Sequence, residues 1–278
     1  MSLPRHERAY AKVNLLLHVG PTRADGLHEI CSLFASVELA DDLVVTRGEG
    51  ADSVDCPGVE GPNLVATALA AFRREIGAEL PALSVSISKQ IPVAAGLGGG
   101  SADAAAALRA ANDLAGRPLD AAELRALGAA VGADVPSQIE PRHALVSGAG
   151  ERVEPIALPA MALLLVPRGP GLHAGEVYRE ADRLGATRKT LDPDRVRELA
   201  AAPLEQLAAG LENDLEPAVM SLRPQLERPL RALREAGALA AQVTGSGPTL
   251  FGVFCDRAAA VAAAARVPGA AVSMVRPS

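Results

Sequence analysis

Aromatic side chains are scarce in this chain: 278 residues contain no Trp, two Tyr and four Phe. The core must therefore be built from Ala, Leu and Val, and any aromatic in a binding site is conspicuous. Cysteine is as sparse. Cys31, Cys56 and Cys255 are odd in number and far apart, with no Cys-x-x-Cys, which argues against a disulfide framework and a structural zinc site. The five His residues are scattered, with no helical metal-ligand pair, so no protein-held metal is expected. Positive charge is not in excess either. Lys and Arg total 27 against 33 Asp and Glu, a formal net charge of −6. That argues against coating nucleic acid or an anionic membrane by bulk electrostatics, but leaves room for a local site for a small anion. No apolar run reaches the ~18 residues of a membrane span. The longest, Ala157 to Val166, is broken by Pro159 and reads as a buried strand. The N-terminus has no apolar signal core, so the cytoplasm is the expected compartment.

What is present is a globular composition, 49% hydrophobic and 22% charged, enough for one large or two modest cores. Alternation and β-branched residues predict strands at Ala11 to Val19, Leu33 to Leu39 and Leu43 to Arg47, with a turn at Arg23-Ala-Asp-Gly26. Asn63 caps a predicted helix ended by Gly77, and Leu83 to Ser88 reads as a strand. A glycine loop then enters an Ala-rich helix. A second helix, Leu119 to Val131, opens on the capping box Asp120-Ala-Ala-Glu123. Past Gly148-Ala-Gly150 the pattern restarts. A strand region spans Glu154 to Pro167. Helices are expected around Gly175 to Leu184, Asp192 to Ala201, Pro203 to Ala209 and Leu222 to Ala236. Strands follow at Ala240 to Thr244 and Thr249 to Cys255, then a helix from Ala258. The order of elements suggests α+β in both halves, with a boundary near residue 150 separating units 1–150 and 151–278.

Four segments carry chemistry. The strongest is Pro92-Val-Ala-Ala-Gly96-Leu97-Gly98-Gly99-Gly100-Ser101-Ala-Asp103. Glycines let backbone N–H groups converge on an anion without a Cβ in the way. The helix behind them adds free N–H groups and a positive dipole end. Ser101 is placed to cap that helix or to reach a phosphate or its Mg²⁺. A tight strand-to-helix connection is the simpler reading of a glycine pair, but four glycines in five residues favour a phosphate cradle. No Gly-Lys-Ser/Thr follows, so it is not a Walker loop. The second segment, Gly132-Ala-Asp134-Val-Pro136, holds a carboxylate on a stiff turn; alone, it reads as a turn or cap residue. In the third, Lys12 and Asn14 share one face of the first strand, opposite Ala11, Val13 and Leu15. Either that face is exposed or it lines a wet site. The fourth, Thr244-Gly245-Ser246-Gly247-Pro248, is a glycine turn between two apolar strands, by itself a hairpin connection.

Together these segments resemble the GHMP kinases. Asp25-Gly-Leu27-His28, Gly148-Ala-Gly150-Glu-Arg and Asn213-Asp-Leu-Glu-Pro217 extend the resemblance nearly end to end. Within the family they point to the branch acting on a cytidine-diphosphate-linked methylerythritol in non-mevalonate isoprenoid biosynthesis. The resemblance implies a two-domain α+β fold, with a ribosomal protein S5 domain 2-like N-terminal unit and a ferredoxin-like C-terminal unit. It implies transfer of the γ-phosphoryl of ATP, with Mg²⁺, to the 2-hydroxyl of the methylerythritol moiety. Lys12 and Asp134 would form the catalytic pair, Asp134 accepting the hydroxyl proton and Lys12 offsetting phosphoryl charge. Asn14 would orient the acceptor, with Leu27, His28 and Tyr178 around cytosine. Asn63 and Lys89 would lie around adenine, Pro92 would also touch ATP, and Gly96, Leu97, Gly98, Gly99, Gly100 and Ser101 would wrap the triphosphate. Thr244 through Gly247 would close the site, Gly245 and Ser246 touching the nucleotide. Three positions depart from the family pattern: Leu27 replaces a Tyr, Ala102 a Ser, and Ser137-Gln138 a pair of aromatics. Homoserine- or mevalonate-type kinases are the rival enzymes, and Asp-Gly-x-His tells against them. A non-catalytic ligand sensor would be expected to lose Lys12 or Asp134, and both are present.

Overall fold

Alternating apolar residues either side of the Arg23–Gly26 turn produce two unusually long strands in the computed structural model, which describes residues 3–59, 61–77 and 80–277. They are β1 (Arg5–Thr22) and β2 (His28–Arg47), paired antiparallel. Next come β3 (Ser53–Asp55), α1 (Leu64–Ile76), β4 (Leu83–Ser88), α2 (Gly99–Leu114), α3 (Ala121–Ala129) and α4 (Val135–Ile139). β5 (Ala144–Gly148) and β6 (Arg152–Pro155) complete a six-stranded sheet, in which β2 also pairs with β5 and with β4. Helix ends follow local chemistry: the Asn63 side chain accepts from the Val65 N–H, Gly77 closes α1 at φ 58°, and Asp120 and Glu123 form the expected capping box on α3.

The second sheet is built from β7 (Ala162–Val166), β8 (Ala240–Val243), β9 (Leu250–Phe254) and β10 (Ala271–Met274), in the antiparallel order β10-β7-β9-β8. That is the ferredoxin-like order. Between β7 and β8 lie α5 (Ala174–Leu184), α6 (Pro193–Ala200), α7 (Leu204–Ala209), α8 (Glu216–Leu222) and α9 (Glu227–Glu235); α10 (Arg257–Ala264) joins β9 to β10. β7 explains the longest apolar run. Leu163 and Leu165 pack towards Val13, Leu33 and Ala35 of the first sheet, while Ala162, Leu164 and Val166 pack with α5, α8, α9 and α10. A strand buried on both faces shows no polar alternation. A third core sits between the first sheet and α1 to α3, where Ala104 to Leu108 allow close helix approach. No helix among the described residues is long and apolar enough to cross a membrane.

Several elements differ from sequence expectation. The separate strands at 33–39 and 43–47 are one strand, because Asp41 is satisfied inside it: its carboxylate accepts from the Gln90 and Ile91 N–H groups and from Lys89. The single helix expected over 222–236 is a short 3-10 turn at Pro224–Leu226 followed by α9, with Leu222 the last residue of α8; Pro224 cannot continue a helix. β3, β5 and β10 carry too few residues for alternation to register. The region 154–167 holds two strands in different sheets, β6 and β7.

Candidate active site

Irregularities in the β1–β2 register fall between Tyr10 and Lys12 and between Asn14 and Leu16. Because side chains alternate with period two, such a slip moves residues to the other face. Ala9 packs among the helices, whereas Ala11, Val13 and Leu15 pack between the sheets. Lys12 and Asn14 are turned towards the N-terminus of α2. Both are buried, at 6% and 3% exposed, so the exposed-face reading fails and a polar site lies there. The Lys12 Nζ donates to Asn14 Oδ1 at 2.6 Å and lies 3.2 Å from Asp134 Oδ2. It also sits 4.8 Å from the centre of the Phe34 ring, where a cation is attracted by the π face.

Asn14 is fixed on every side. Its amide donates to Ser32 Oγ, which donates to the Leu16 carbonyl. Its backbone N–H donates to Thr244 Oγ1 at 2.9 Å. Asn213 donates to the Val243 and Gly245 carbonyls at 2.9 Å each, holding the turn that carries Thr244. The glycines there are obligatory: a Cβ on Gly245 would stand 2.8 Å from Asn14 Oδ1, and one on Gly96 2.8 Å from the Gly247 carbonyl. The loop 92–98 is thus clasped between both sheets, with Thr249 N–H donating to Ala95 O and Lys12 N–H to Leu97 O.

Asp134 precedes α4 with φ −87° and ψ −13°; its carbonyl accepts from Ser137 Oγ at 2.8 Å. Behind it, a Cβ on Gly150 would come within 2.4 Å of the Ala133 carbonyl, so the Gly148–Gly150 loop buttresses the turn that carries the carboxylate.

Two cavities meet here. One, of about 510 Å³, is lined by Lys12, Asn14, Leu27, His28, Phe34, Asp134 and Tyr178, with Gly245 and Ser246 on its wall. The other, of about 340 Å³, runs from Asn63, Leu64 and Lys89 past Pro92 and Val93 to Gly96, Leu97, Gly98, Gly99 and Gly100. Ser101 borders both. In the first cavity the His28 and Tyr178 rings stack with centroids 5.1 Å apart and planes at 30°. The His28 Nε2 donates to Asp182 Oδ1 at 2.9 Å. Burial, and secondarily Asp134, pushes the Tyr178 phenol up from its usual range. A slot beside a carboxylate–ammonium pair, joined to a glycine-lined cavity at a helix N-terminus, has the shape that transfer of a phosphoryl group to a hydroxyl requires.

Comparison with known proteins decides the family. GHMP kinases N terminal domain matches residues 63–140, and GHMP kinases C terminal matches 192–272. The 4-diphosphocytidyl-2-C-methyl-D-erythritol kinase of Anaeromyxobacter dehalogenans is 43% identical over 95% of this chain and 85% of its own. That of Nocardia farcinica is 42% identical over 96% and 90%. A crystal structure of 4-(cytidine 5'-diphospho)-2C-methyl-D-erythritol kinase superposes with a TM-score of 0.79 at 33% identity, covering 97% of this chain and 98% of that one. The chain belongs to the 4-diphosphocytidyl-2-C-methyl-D-erythritol kinase family of GHMP kinases. The fold extends further: homoserine kinase from Cytophaga hutchinsonii superposes with a TM-score of 0.76 at 18% identity.

Not every residue of this kinase stands where the sequence suggested. α2 begins at Gly99 with Gly98 at its cap, so Ser101 lies inside the first turn and does not cap it. Gly245 and Ser246 border the cavity of Lys12 and Asp134, not the one lined by Asn63. The Leu97 side chain is in the core and offers only backbone to the loop. Lys89 lines the second cavity with its ammonium held between Asp41 and Asp103. Leu27 stands at the rim, 53% exposed, and Tyr178 stacks on His28 itself. Sequence reasoning missed Phe34, Ser32, Asp182, Asp41 and the anchoring role of Asn213. Asn213 had a local signal in its position in Asn213-Asp-Leu-Glu-Pro217, and Ser32, Phe34 and Asp41 fall in the family-like segment Ser32 to Leu43, which marked none of them singly.

Proposed function

We propose that this kinase transfers the γ-phosphoryl group of ATP to the 2-hydroxyl of 4-diphosphocytidyl-2-C-methyl-D-erythritol. The observation that carries the reading is the Lys12–Asp134 pair, 3.2 Å apart, beside the Ser101 junction of a glycine-lined cradle and a cavity holding Leu27, His28 and Tyr178. Asp134 accepts the acceptor's hydroxyl proton as its oxygen bonds to the γ-phosphorus and the bond to the β,γ-bridging oxygen breaks. Lys12 offsets the charge on the moving phosphoryl group, and Asn14 fixes the ammonium and orients the methylerythritol end. Gly96 to Ser101 receive the triphosphate, Asn63, Lys89 and Pro92 line the nucleoside end, and Tyr178 and Leu27 flank the cytosine beside His28. The family relationship supports units over 1–150 and 151–278, with β6 extending the first sheet to Pro155.

Mg²⁺ fits this arrangement as a companion of the triphosphate. Among the described residues no three His, Cys, Asp or Glu side chains form a cage, and Mg²⁺ typically takes one or two protein oxygens plus substrate phosphates. Ser101, which borders both cavities, and Asp134 would supply them, and the ion would offset charge on the phosphates. The test is incubation with ATP, Mg²⁺ and the cytidine diphosphate substrate, with ³¹P NMR for a 2-phosphate product. Homoserine and mevalonate are the control acceptors, followed by ADP release. Turnover of either control in preference to the cytidine substrate would overturn the reading.

A further inference from the structure

Beneath the glycine loop lies a charged cluster that the phosphoryl-transfer chemistry does not use. Asp41, in the middle of β2, is 0% exposed. Its Oδ1 accepts from the backbone N–H groups of Gln90 at 2.5 Å and Ile91 at 2.8 Å, the first residues of the loop. Its Oδ2 accepts from Lys89 Nζ at 2.5 Å. The same ammonium donates to Oδ2 of Asp103 at 2.7 Å, on the second turn of α2. Asp103 is 3% exposed and its Oδ1 has no hydrogen-bond partner among the described residues. A Cβ on Gly99, the first residue of α2, would stand 3.3 Å from Lys89 Nζ and 3.0 Å from Ile91 Cγ2. One lysine therefore ties β2, the entry of the loop and the start of α2 together, directly behind the cradle.

We propose that Asp41, Lys89 and Asp103 are positioning residues that hold the glycine loop against the N-terminus of α2 and so set affinity for the outer phosphates of the nucleotide. The inference rests on the proposed function, in which that loop receives the triphosphate. Two of the three Lys89 donors are already taken by carboxylates, so its influence on the outer phosphates runs through backbone geometry. Anion binding by converging N–H groups depends on their mutual alignment. If the loop entry or the helix start shifts, the outer phosphates lose partners, while the nucleoside, held near Asn63, Leu64 and Val93, does not.

The experiment is titration calorimetry of the full chain with ADP and with AMP in the presence of Mg²⁺, beside steady-state kinetics. Asp103→Ala keeps the Lys89–Asp41 pair and releases only the helix side. It is expected to weaken ADP about fivefold or more, leave AMP within twofold, and raise the KM for ATP more than it lowers kcat. Asp103→Asn, which can still accept from Lys89, should recover most of the ADP affinity. Equal loss of ADP and AMP would mean that the cluster serves the nucleoside end. No loss of either, or failure of Asp103→Asn to recover ADP affinity, would reduce it to a fold element. Either result overturns the proposal. Absence of ADP binding by the unmodified protein would instead strike at the phosphate cradle, and so at the proposed function.

Discussion

Replacing Gly98 by alanine should separate backbone strain from displacement of the Lys12 ammonium. Gly98 has φ +71°, and a Cβ there would lie 2.9 Å from Lys12 Cγ and 3.2 Å from Cε. The left-handed backbone alone costs a β-carbon residue roughly 1–2 kcal/mol. Ordinary carbon–carbon contact is about 3.5 Å, so the Lys12 stem must retreat by about half an ångström or the loop must open. A misplacement of about 1 Å near the chemistry costs on the order of a hundredfold in rate, so the expected loss in kcat is about 10- to 100-fold. Gly116, just past α2, provides the control. Its φ is +86° but a Cβ would meet nothing within 4 Å, so Gly116→Ala carries similar strain without touching Lys12. Both variants should melt a few degrees lower, at about 2–4 °C per kcal/mol for a chain of this order of size. Only Gly98→Ala should lose turnover. The measurements are thermal melts and ADP release at saturating ATP and acceptor. If Gly98→Ala melts like Gly116→Ala and keeps wild-type kcat, the close approach of loop and lysine is not what limits catalysis.

Asp134→Asn should fold normally and lose about 10²–10⁴ of kcat with little change in substrate affinity; Lys12→Ala should also cut kcat, and the double variant should fall far short of the product of the two losses. Near-normal turnover of Asp134→Asn would remove it from the mechanism. Tyr178→Ala should raise the acceptor KM by up to about tenfold, since an aromatic stack is worth roughly 0.5–1.5 kcal/mol, and Tyr178→Phe should not, because the stack on His28 survives. Leu27→Tyr, at an exposed rim position, should lower that KM; an unchanged value in Tyr178→Ala would take the residue out of the site. Burial raises the Asp103 carboxyl from 3.8 to about 7, against the opposing pull of Lys89 and with Asp41 adding to the rise; Cys56 and Asp55 are further titratable groups in this charged environment. Between those pH values the folded chain keeps a proton that the unfolded chain has released, so this group costs stability progressively as pH rises through that window. The melting temperature of Asp103→Asn relative to wild type should therefore climb between about pH 4.5 and 7.5; parallel curves would show that Asp103 stays ionised. Gly99→Val should raise the KM for ATP through collision with Ile91 and loss of backbone approach, but not through φ strain, since positive φ in this loop falls on Ala94, Gly96 and Gly98; an unchanged KM would argue that phosphates do not approach there.

Local chemistry was legible in the sequence wherever one residue and its near neighbours decide the outcome. Asn63 and Asp120 cap helices and Gly77 ends one, because each bonds or bends within a few residues of itself. The glycine loop bends within its own few residues for the same reason, and the motifs around Lys12, His28 and Asp134 carried the family. What the sequence could not show was which face of β1 is inside. That was settled by the register slips beside Lys12 and Asn14, which depend on pairing with residues of β2 far along the chain. Nor could it show that Asp41 sits unbroken within a strand, since its partners, Lys89 to Ile91, are nearly fifty residues away. The stacking of Tyr178 on His28, the Phe34 ring under the Lys12 ammonium and the seating of Gly96 against the Gly247 carbonyl likewise join distant segments. Caps and turns are short-range hydrogen bonds, whereas burial of charge and alignment of Lys12 with Asp134 are collective, and only tertiary packing brings their partners together.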